Sequence, residues 1–415
     1  MTSEIAVMNQ RAVALAADSA VTLIAGGTVV VRNEHQKLFN LIEGRPLGLM
    51  FFGMADLLGH PWDHLIEHYQ KKVKPAPLAH VRDYAASFVN SLDNLEEFFP
   101  RDRQSDDYRR LLLSVGRYIL RHAEDLRHHG GAGATDTAIL ETAIEQIWRF
   151  YQYRPDGNPR PDLACFPEGF GKRVLSEHAR VIDEFVTFAF GQYGIGKVTQ
   201  QQLRDIAMFC VTKELFLEDV AGLVFAGFGA EERYPALVTY YVSAIVCGIV
   251  KRAEAGVDQV SNEQRSQLRI FADSAATTAF IRGIDSSLEN WMYGNVQVLM
   301  HRLASQLIEA FPNADAASRE AARGKFLEEL GPRQFEAFYR AIAEYQQRIF
   351  INPVFHVLDV ATKSELAQTA RQLVELNVFK KRIMAQKETV GGAIDVCIIS
   401  RDDGFQWASK GGVER

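Results

Sequence analysis

Strand-forming segments stand at the start, in the middle and at the end of this 415-residue chain, with long helical stretches between them. At the start, Ile5 to Asp18 alternates in polarity and then runs apolar through Ala12-Val13-Ala14-Leu15-Ala16, which suits a buried strand pair. Thr28-Val29-Val30-Val31 follows Gly26-Gly27 as a third strand. Next come Lys37-Leu38-Phe39-Asn40-Leu41, a turn at Glu43-Gly44-Arg45-Pro46, and a strand from Leu47 to Phe52 that ends at Gly53. In the middle, Val220 to Gly227 reads as a strand, Ala236 to Val242 as a second after Pro235, and Ala244 to Lys251 as a third. At the end, Ile394 to Ile399 turns at Asp402-Asp403-Gly404 into a short strand, Phe405-Gln406-Trp407. Strands and helices do not alternate singly, so a parallel βαβ sheet is excluded. Stacked antiparallel sheets with helices outside are expected, an α+β class.

The helical stretches show their own period. Leu57, Leu58, Trp62, Leu65, Ile66 and Tyr69 predict a helix from about Ala55 to Lys72. Residues 78–150 repeat apolar positions at helical steps, among them Tyr84, Phe88, Leu112 and Ile119. A loop at His128-His129-Gly130-Gly131 and a Pro-rich connector from Arg154 to Pro161 interrupt this block, and helix resumes to about 215. Residues 266–310 read as a strand leading into helix, 315–350 as helix, and Ser364 to Gln386 as an amphipathic helix with Leu366, Ala370, Leu373, Leu376, Phe379 and Ile383 on its apolar face. The Gly-rich stretch from His128 to Thr135 lacks the lysine of a phosphate loop and reads as a linker.

Composition sets limits. Hydrophobic residues make up 47% and charged residues 24%, an ordinary globular balance, and the net charge of -6 offers no basic surface for nucleic acid. Cys165, Cys210, Cys247 and Cys397 are far apart and form no CxxC pair, which argues against both disulfide and metal frameworks. Neither a secretory signal nor an apolar run of the roughly 20 residues that span a membrane is expected, so a cytoplasmic location is the default.

The chemistry points to the first residues. Thr2 follows Met1, and removal of that methionine would leave a threonine with a hydroxyl and a free α-amine on one residue. An N-terminal amine is one way to activate a threonine hydroxyl, and its pKa of about 7.7–8.0 suits a base near neutral pH. Such a nucleophile needs a nearby cation, a carboxylate to hold that cation, and a backbone N–H for the oxyanion.

Asp18 stands sixteen positions after Thr2 (18 − 2), Lys37 opens the segment Lys37-Leu38-Phe39-Asn40-Leu41, and Gly48 to Gly53 is a strand ending in glycine. Over its first 70 residues the chain resembles a proteasome β-subunit, of the N-terminal nucleophile hydrolase class. Near the end, Gly391-Gly392-Ala393-Ile394-Asp395-Val396 and Asp403-Gly404-Phe405 are similar to the last core strands of that family. The resemblance implies a four-layer αββα sandwich formed by 1–73, 216–305 and 364–415, with helical insertions at 74–215 and 306–363. It implies Thr2 as nucleophile, Lys37 as its electrostatic activator, Asp18 as the lysine's partner and the Gly53 N–H as oxyanion donor. Thr22 falls where the family pairs its backbone with substrate, and Phe51 at the floor of the specificity pocket.

The chain departs from the pattern in two places. Lys387, Glu388, Thr389 and Val390 stand where the family has a supporting aspartate and serine. The family's other supporting serine is missing, and Ser274, Thr277 and Thr278 are the nearby substitutes. The resemblance further implies a threonine-type peptidase with a peptide or protein substrate, no cofactor, no metal and self-association. Its partner ATPase is not legible. The alternatives are a non-catalytic assembly protein of the same fold and a threonine-dependent transpeptidase or ligase. His64-Leu65-Ile66-Glu67-His68 matches an inverted zinc-peptidase pattern, but it reads more simply as a solvated helix face.

Overall fold

The computed structural model describes residues 3–25, 28–32, 35–73, 76–129, 135–217, 220–272, 274–310, 315–384, 391–411 and 413–414; for 21–25, 28–32, 129 and 413–414 it describes the backbone. In chain order the strands are β1 (Ser3–Asn9), β2 (Ala12–Asp18), β3 (Val21–Ala25), β4 (Thr28–Arg32), β5 (Leu38–Asn40), β6 (Leu47–Gly53), β7 (Asp56–Leu57), β8 (His60–Pro61), β9 (Ala221–Gly227), β10 (Ala236–Val246), β11 (Ile249–Gln259), β12 (Ser266–Ala272), β13 (Ile394–Ser400), β14 (Gly404–Lys410) and β15 (Val413–Glu414). Helices α1 (Trp62–Lys72), α2 (Val81–Ser91), α3 (Arg101–His129), α4 (Asp136–Gln152), α5 (Phe170–Glu177), α6 (Ala179–Glu184) and α7 (Lys197–Thr212) precede β9. Helices α8 (Ala275–Arg282), α9 (Ser286–Glu309), α10 (Ala316–Lys325), α11 (Gly331–Gln346), α12 (Asn352–Val360) and α13 (Lys363–Ile383) follow β12. The chain is a mixed α+β protein with several antiparallel sheets. Among the described residues, no helix is long and apolar enough to cross a membrane.

Two compact units emerge, one of residues 1–35, 260–398 and 407–415, the other of 36–259 and 399–406. The first carries a sheet in the order β12-β1-β2-β13-β14-β15. β1 and β2 form an antiparallel hairpin across Gln10 and Arg11, and all their residues are buried. The alanines of β2 explain how α13 fits. Ala12, Ala14 and Ala16 lie with Ile5 and Val7 against Leu366, Ala370, Leu373 and Val374 of α13, and small strand residues let a helix come close. Thr362 caps α13 and forms a capping box with Glu365, so the helix begins one residue before the expected Ser364.

The second unit carries a sheet in the order β11-β10-β9-β6-β5. Leu49, Phe51, Leu223, Phe225 and Val238 share a core with Trp62, Leu65, Ile66 and Phe88 of α1 and α2. Helices α3 to α7 build a second core in this unit around Tyr108, Leu112, Ile144, Leu203 and Ile206.

Local readings are corrected at several points. The helix expected from Ala55 begins at Trp62, after Pro61; Leu58 and Gly59 take positive φ of 53° and 81° and turn the chain between β7 and β8. Proline lacks the N–H that a helix interior needs and is tolerated only at its start. The strand expected over Ala244 to Lys251 is split by a turn at Cys247 and Gly248, where φ is 50° and 83°. A cysteine at a position usually taken by Asn or Asp hides that turn signal. The helix α3 continues through His129, where a loop was expected, and the Gly-rich stretch 130–134 lies outside the described residues. β3 and β4 pair with each other as a separate two-stranded ladder, and the last strand is longer than Phe405–Trp407.

Candidate functional site

Thr2 lies outside the described residues, and the structure of its surroundings begins with Ser3. Asp18 ends β2 directly beside the first residue of β1. Its Oδ1 accepts the Ser3 N–H at 3.1 Å and its Oδ2 accepts the Gly391 N–H at 2.8 Å. The side chain is 1% exposed. Antiparallel pairing produces this arrangement: Glu4 lies opposite Ala17, so the residue after Ala17 reaches the backbone of the residue before Glu4. Just beyond, Ser19 donates its N–H to Ala393 O at 3.0 Å, a second tie to the segment that precedes β13.

A polar chain continues from Ser3. Asn377 of α13 donates Nδ2–H to Ser3 Oγ at 2.8 Å, and its Oδ1 accepts the Thr277 N–H at 3.0 Å. Thr277 donates its hydroxyl to Leu373 O at 3.0 Å. Asn377 and Thr277 are buried, and buried polar groups that are fully bonded hold one geometry firmly. Sequence reasoning missed Ser3 and Asn377. The signal was present, because Asn377 shares the buried face of α13 with Ala370 and Val374. Of the three residues considered as substitutes for the missing serine, Thr277 belongs to this network. Ser274 precedes α8 without capping it by its side chain, and its carbonyl accepts the Thr278 N–H at 2.7 Å. The stretch Lys387 to Val390 lies outside the described residues.

Of the other candidates, Lys37, Phe51 and Gly53 belong to the second unit and Thr22 to the first. Lys37 precedes β5 and is 1% exposed. Its carbonyl accepts the Phe51 N–H at 3.2 Å, so the start of β5 is brought against β6. The Phe51 ring stacks on Phe39 with centroids 6.2 Å apart and lies 6.3 Å from Trp62 of α1, inside the helix-facing core. Gly53, the last residue of β6, is exposed and has φ +82°; a Cβ there would stand 2.1 Å from Val220 O, so only glycine fits. That same carbonyl accepts the Met54 N–H at 3.1 Å. Thr22 lies on β3 with its backbone opposite Val31.

The histidine-rich segment takes a different role. His64 and Glu67 are exposed, while the rings of His60 and His68 lie edge-on to Phe98 at 5.1 and 4.7 Å. Among the described residues, no group of three or more His, Cys, Asp or Glu is placed to hold a metal ion. Cys210 and Cys247 are buried, and loss of solvent pushes their thiols up to about 12, far from nucleophilic use near neutral pH.

No family model matches this chain, and no curated protein matches it. A solved structure, a Gly-1 mutant of Anbu from Hyphomicrobium sp. strain MC1, is similar over 99% of this chain and 88% of that one, with 10% identity and a TM-score of 0.28. A likeness that slight defines neither the fold nor the chemistry of this chain.

Proposed function

We propose that this chain is an N-terminal threonine hydrolase, a proteasome-like peptidase that cleaves amide bonds after Met1 is removed. The observation that carries the reading is the seat of Asp18, whose two carboxyl oxygens hold the N–H of Ser3 and that of Gly391. A carboxyl bound to the residue behind Thr2 fixes the backbone on which an N-terminal nucleophile would be aimed, and such aiming is a large part of catalysis. The Ser3–Asn377–Thr277 chain supports the same end from a second side.

In this reading Thr2 Oγ attacks the substrate carbonyl, and the α-amine takes the hydroxyl proton and passes it to the leaving amine. Lys37 stabilises the developing charge, Asp18 serves as its partner, and the Gly53 N–H binds the oxyanion. The Thr22 backbone aligns the substrate and Phe51 favours small side chains beside the cleaved bond. Water then releases the ester; an amine in its place would make the same site a transpeptidase or ligase. The accompanying architecture is the four-layer αββα sandwich of 1–73, 216–305 and 364–415, with helical insertions at 74–215 and 306–363, in a cytoplasmic self-associating protein.

The test is the intact mass of the purified protein before and after a threonine-directed β-lactone or epoxyketone. Loss of Met1 with one adduct, absent in Thr2→Ala, supports the hydrolase. Retained Met1 without adduct sinks it and leaves a non-catalytic assembly protein, because a blocked amine cannot act as the base.

A further inference from the structure

The helical arm from α9 to α12 has almost no core of its own. α9 is 24 residues long, yet its one buried residue is Glu289. One side of it faces the returning helix, with the Tyr293 and Tyr339 rings 3.7 Å apart and His301 6.0 Å from Phe326. The other side carries Leu288, Trp291, Leu299, Leu303 and Leu307, each between 49% and 64% exposed. The returning helices are no better covered. α10 buries nothing, α11 buries only Gly331 and Gln346, and α12 only Leu358. Phe338, Tyr345, Val357 and Val360 stand 37–65% exposed along them.

A helix with apolar residues on its solvent side as well as on its packed side calls for a further neighbour. Two antiparallel helices enclose no core, whereas four do. We propose that this arm packs against the same arm of a second copy of the chain, so that the two hairpins form a four-helix bundle around a two-fold axis. The exposed apolar side chains amount to on the order of 1,000 Å² per copy, and a stable interface covers about 800 Å² per partner. Charge favours a copy over other partners. The arm, residues 286–360, holds seven Lys and Arg, among them Arg302, Arg323 and Arg340, against nine Asp and Glu, among them Glu309, Glu328 and Glu336, a net charge of -2 (7 − 9). An arm without a basic excess has no attraction for an anionic membrane or for nucleic acid, while interspersed signs let identical surfaces complement each other. A groove of about 410 Å³ lined by Met300, Phe326, Phe335 and Tyr339 has room for an aromatic side chain of the second copy.

The pairing is independent of the Thr2 chemistry, and its test does not read activity. Sedimentation velocity of the full chain at ~1–50 µM is expected to show association, at the low-micromolar range or tighter typical of interfaces this size. Leu299→Glu with Leu303→Glu is expected to weaken it at least 100-fold and yield the 46.6 kDa monomer with unchanged circular dichroism. Phe188→Glu, a control at an 81% exposed position of the other unit, leaves the assembly intact. Should the double variant misfold, amide exchange of the unaltered chain still decides: peptides from 286–309 become more protected as concentration rises. A chain that is monomeric at ~50 µM, an assembly that survives the double variant, or protection that ignores concentration overturns the proposal.

Discussion

Asp18→Asn perturbs the carboxyl on which the functional reading turns. The carboxyl accepts two backbone N–H groups, from Ser3 at 3.1 Å and Gly391 at 2.8 Å, at a site that is 1% exposed. An amide of the same shape keeps one acceptor oxygen but turns an NH₂ toward one of the two donors. A buried donor left without a partner costs about 1–3 kcal/mol, and an opposed donor adds to this, so a loss of about 2–4 kcal/mol is expected. The loss falls on the start of β1 and the approach to β13, and leaves the α3–α7 core untouched. Amide exchange followed by mass spectrometry reads this locally: protection in peptides covering residues 3–9 and 391–398 should drop on the order of 10²-fold, while peptides from 101–152 stay as they were. Labelling of Thr2 by the β-lactone should slow by at least 10-fold, because the residue behind the nucleophile is no longer held. Wild-type protection at both termini of this contact would refute the structural argument. Lost protection with an unchanged labelling rate would refute its link to function.

Gly53→Ala forces a Cβ to within 2.1 Å of Val220 O at φ +82°; with about 1–2 kcal/mol for the left-handed backbone alone and more for the displaced carbonyl, the melting temperature should fall by at least ~4 °C, and an unchanged melt would refute the clash. Lys251 is buried, donating its ammonium to Cys210 O and Leu215 O, and loss of solvent lowers its pKa from 10.5 to about 8. Between those two values the unfolded chain holds a proton that the folded chain has lost, so stability rises with pH; relative to Lys251→Met, the wild type should gain roughly 2–3 kcal/mol in urea unfolding from pH 7 to pH 10, and a gap that stays constant would refute the assignment.

Strands β1 and β2 were legible because burial is written in their composition, whereas β3, β7 and β8 went unread. β1 and β2 are buried at every position, which their near-continuous apolar runs announced. Boundaries were legible where the breaking residue was of a familiar type and lost where it was not. Gly53 marked the end of β6, whereas Cys247 concealed a hairpin turn, and Leu57 and Leu58 kept a helical spacing that Pro61 should have overruled. Asp18 was singled out through the resemblance, by its place after Thr2, and its bond to the Ser3 N–H follows from the β1–β2 pairing. Its partner Gly391 was not legible, since that bond joins residues 373 apart and depends on how the last strands return beside the first. Lys37 and Phe51 were read as separate candidates, and the backbone bond between them follows from the β5–β6 register.

Polar chemistry placed where an apolar residue would be expected remained hidden. α13 was read through Leu366, Ala370, Leu373, Leu376, Phe379 and Ile383; the first three explain why it packs on a sheet, while Phe379 and Ile383 stand exposed. Asn377 and Lys381 lie on its buried side as well, at positions 7 and 11 after Ala370, and packing gives no reason for them. An asparagine in a core costs free energy unless its amide is bonded, so its presence there implies partners supplied from elsewhere in the fold. Those partners are Ser3 Oγ and the Thr277 N–H, next to the chain's first residues. The opposite mismatch, apolar side chains left in solvent on α9, implies a partner outside the chain. In both helices the residue that contradicts its surroundings points to its partner: Asn377 to the start of its own chain, and Leu303 outward to a second one.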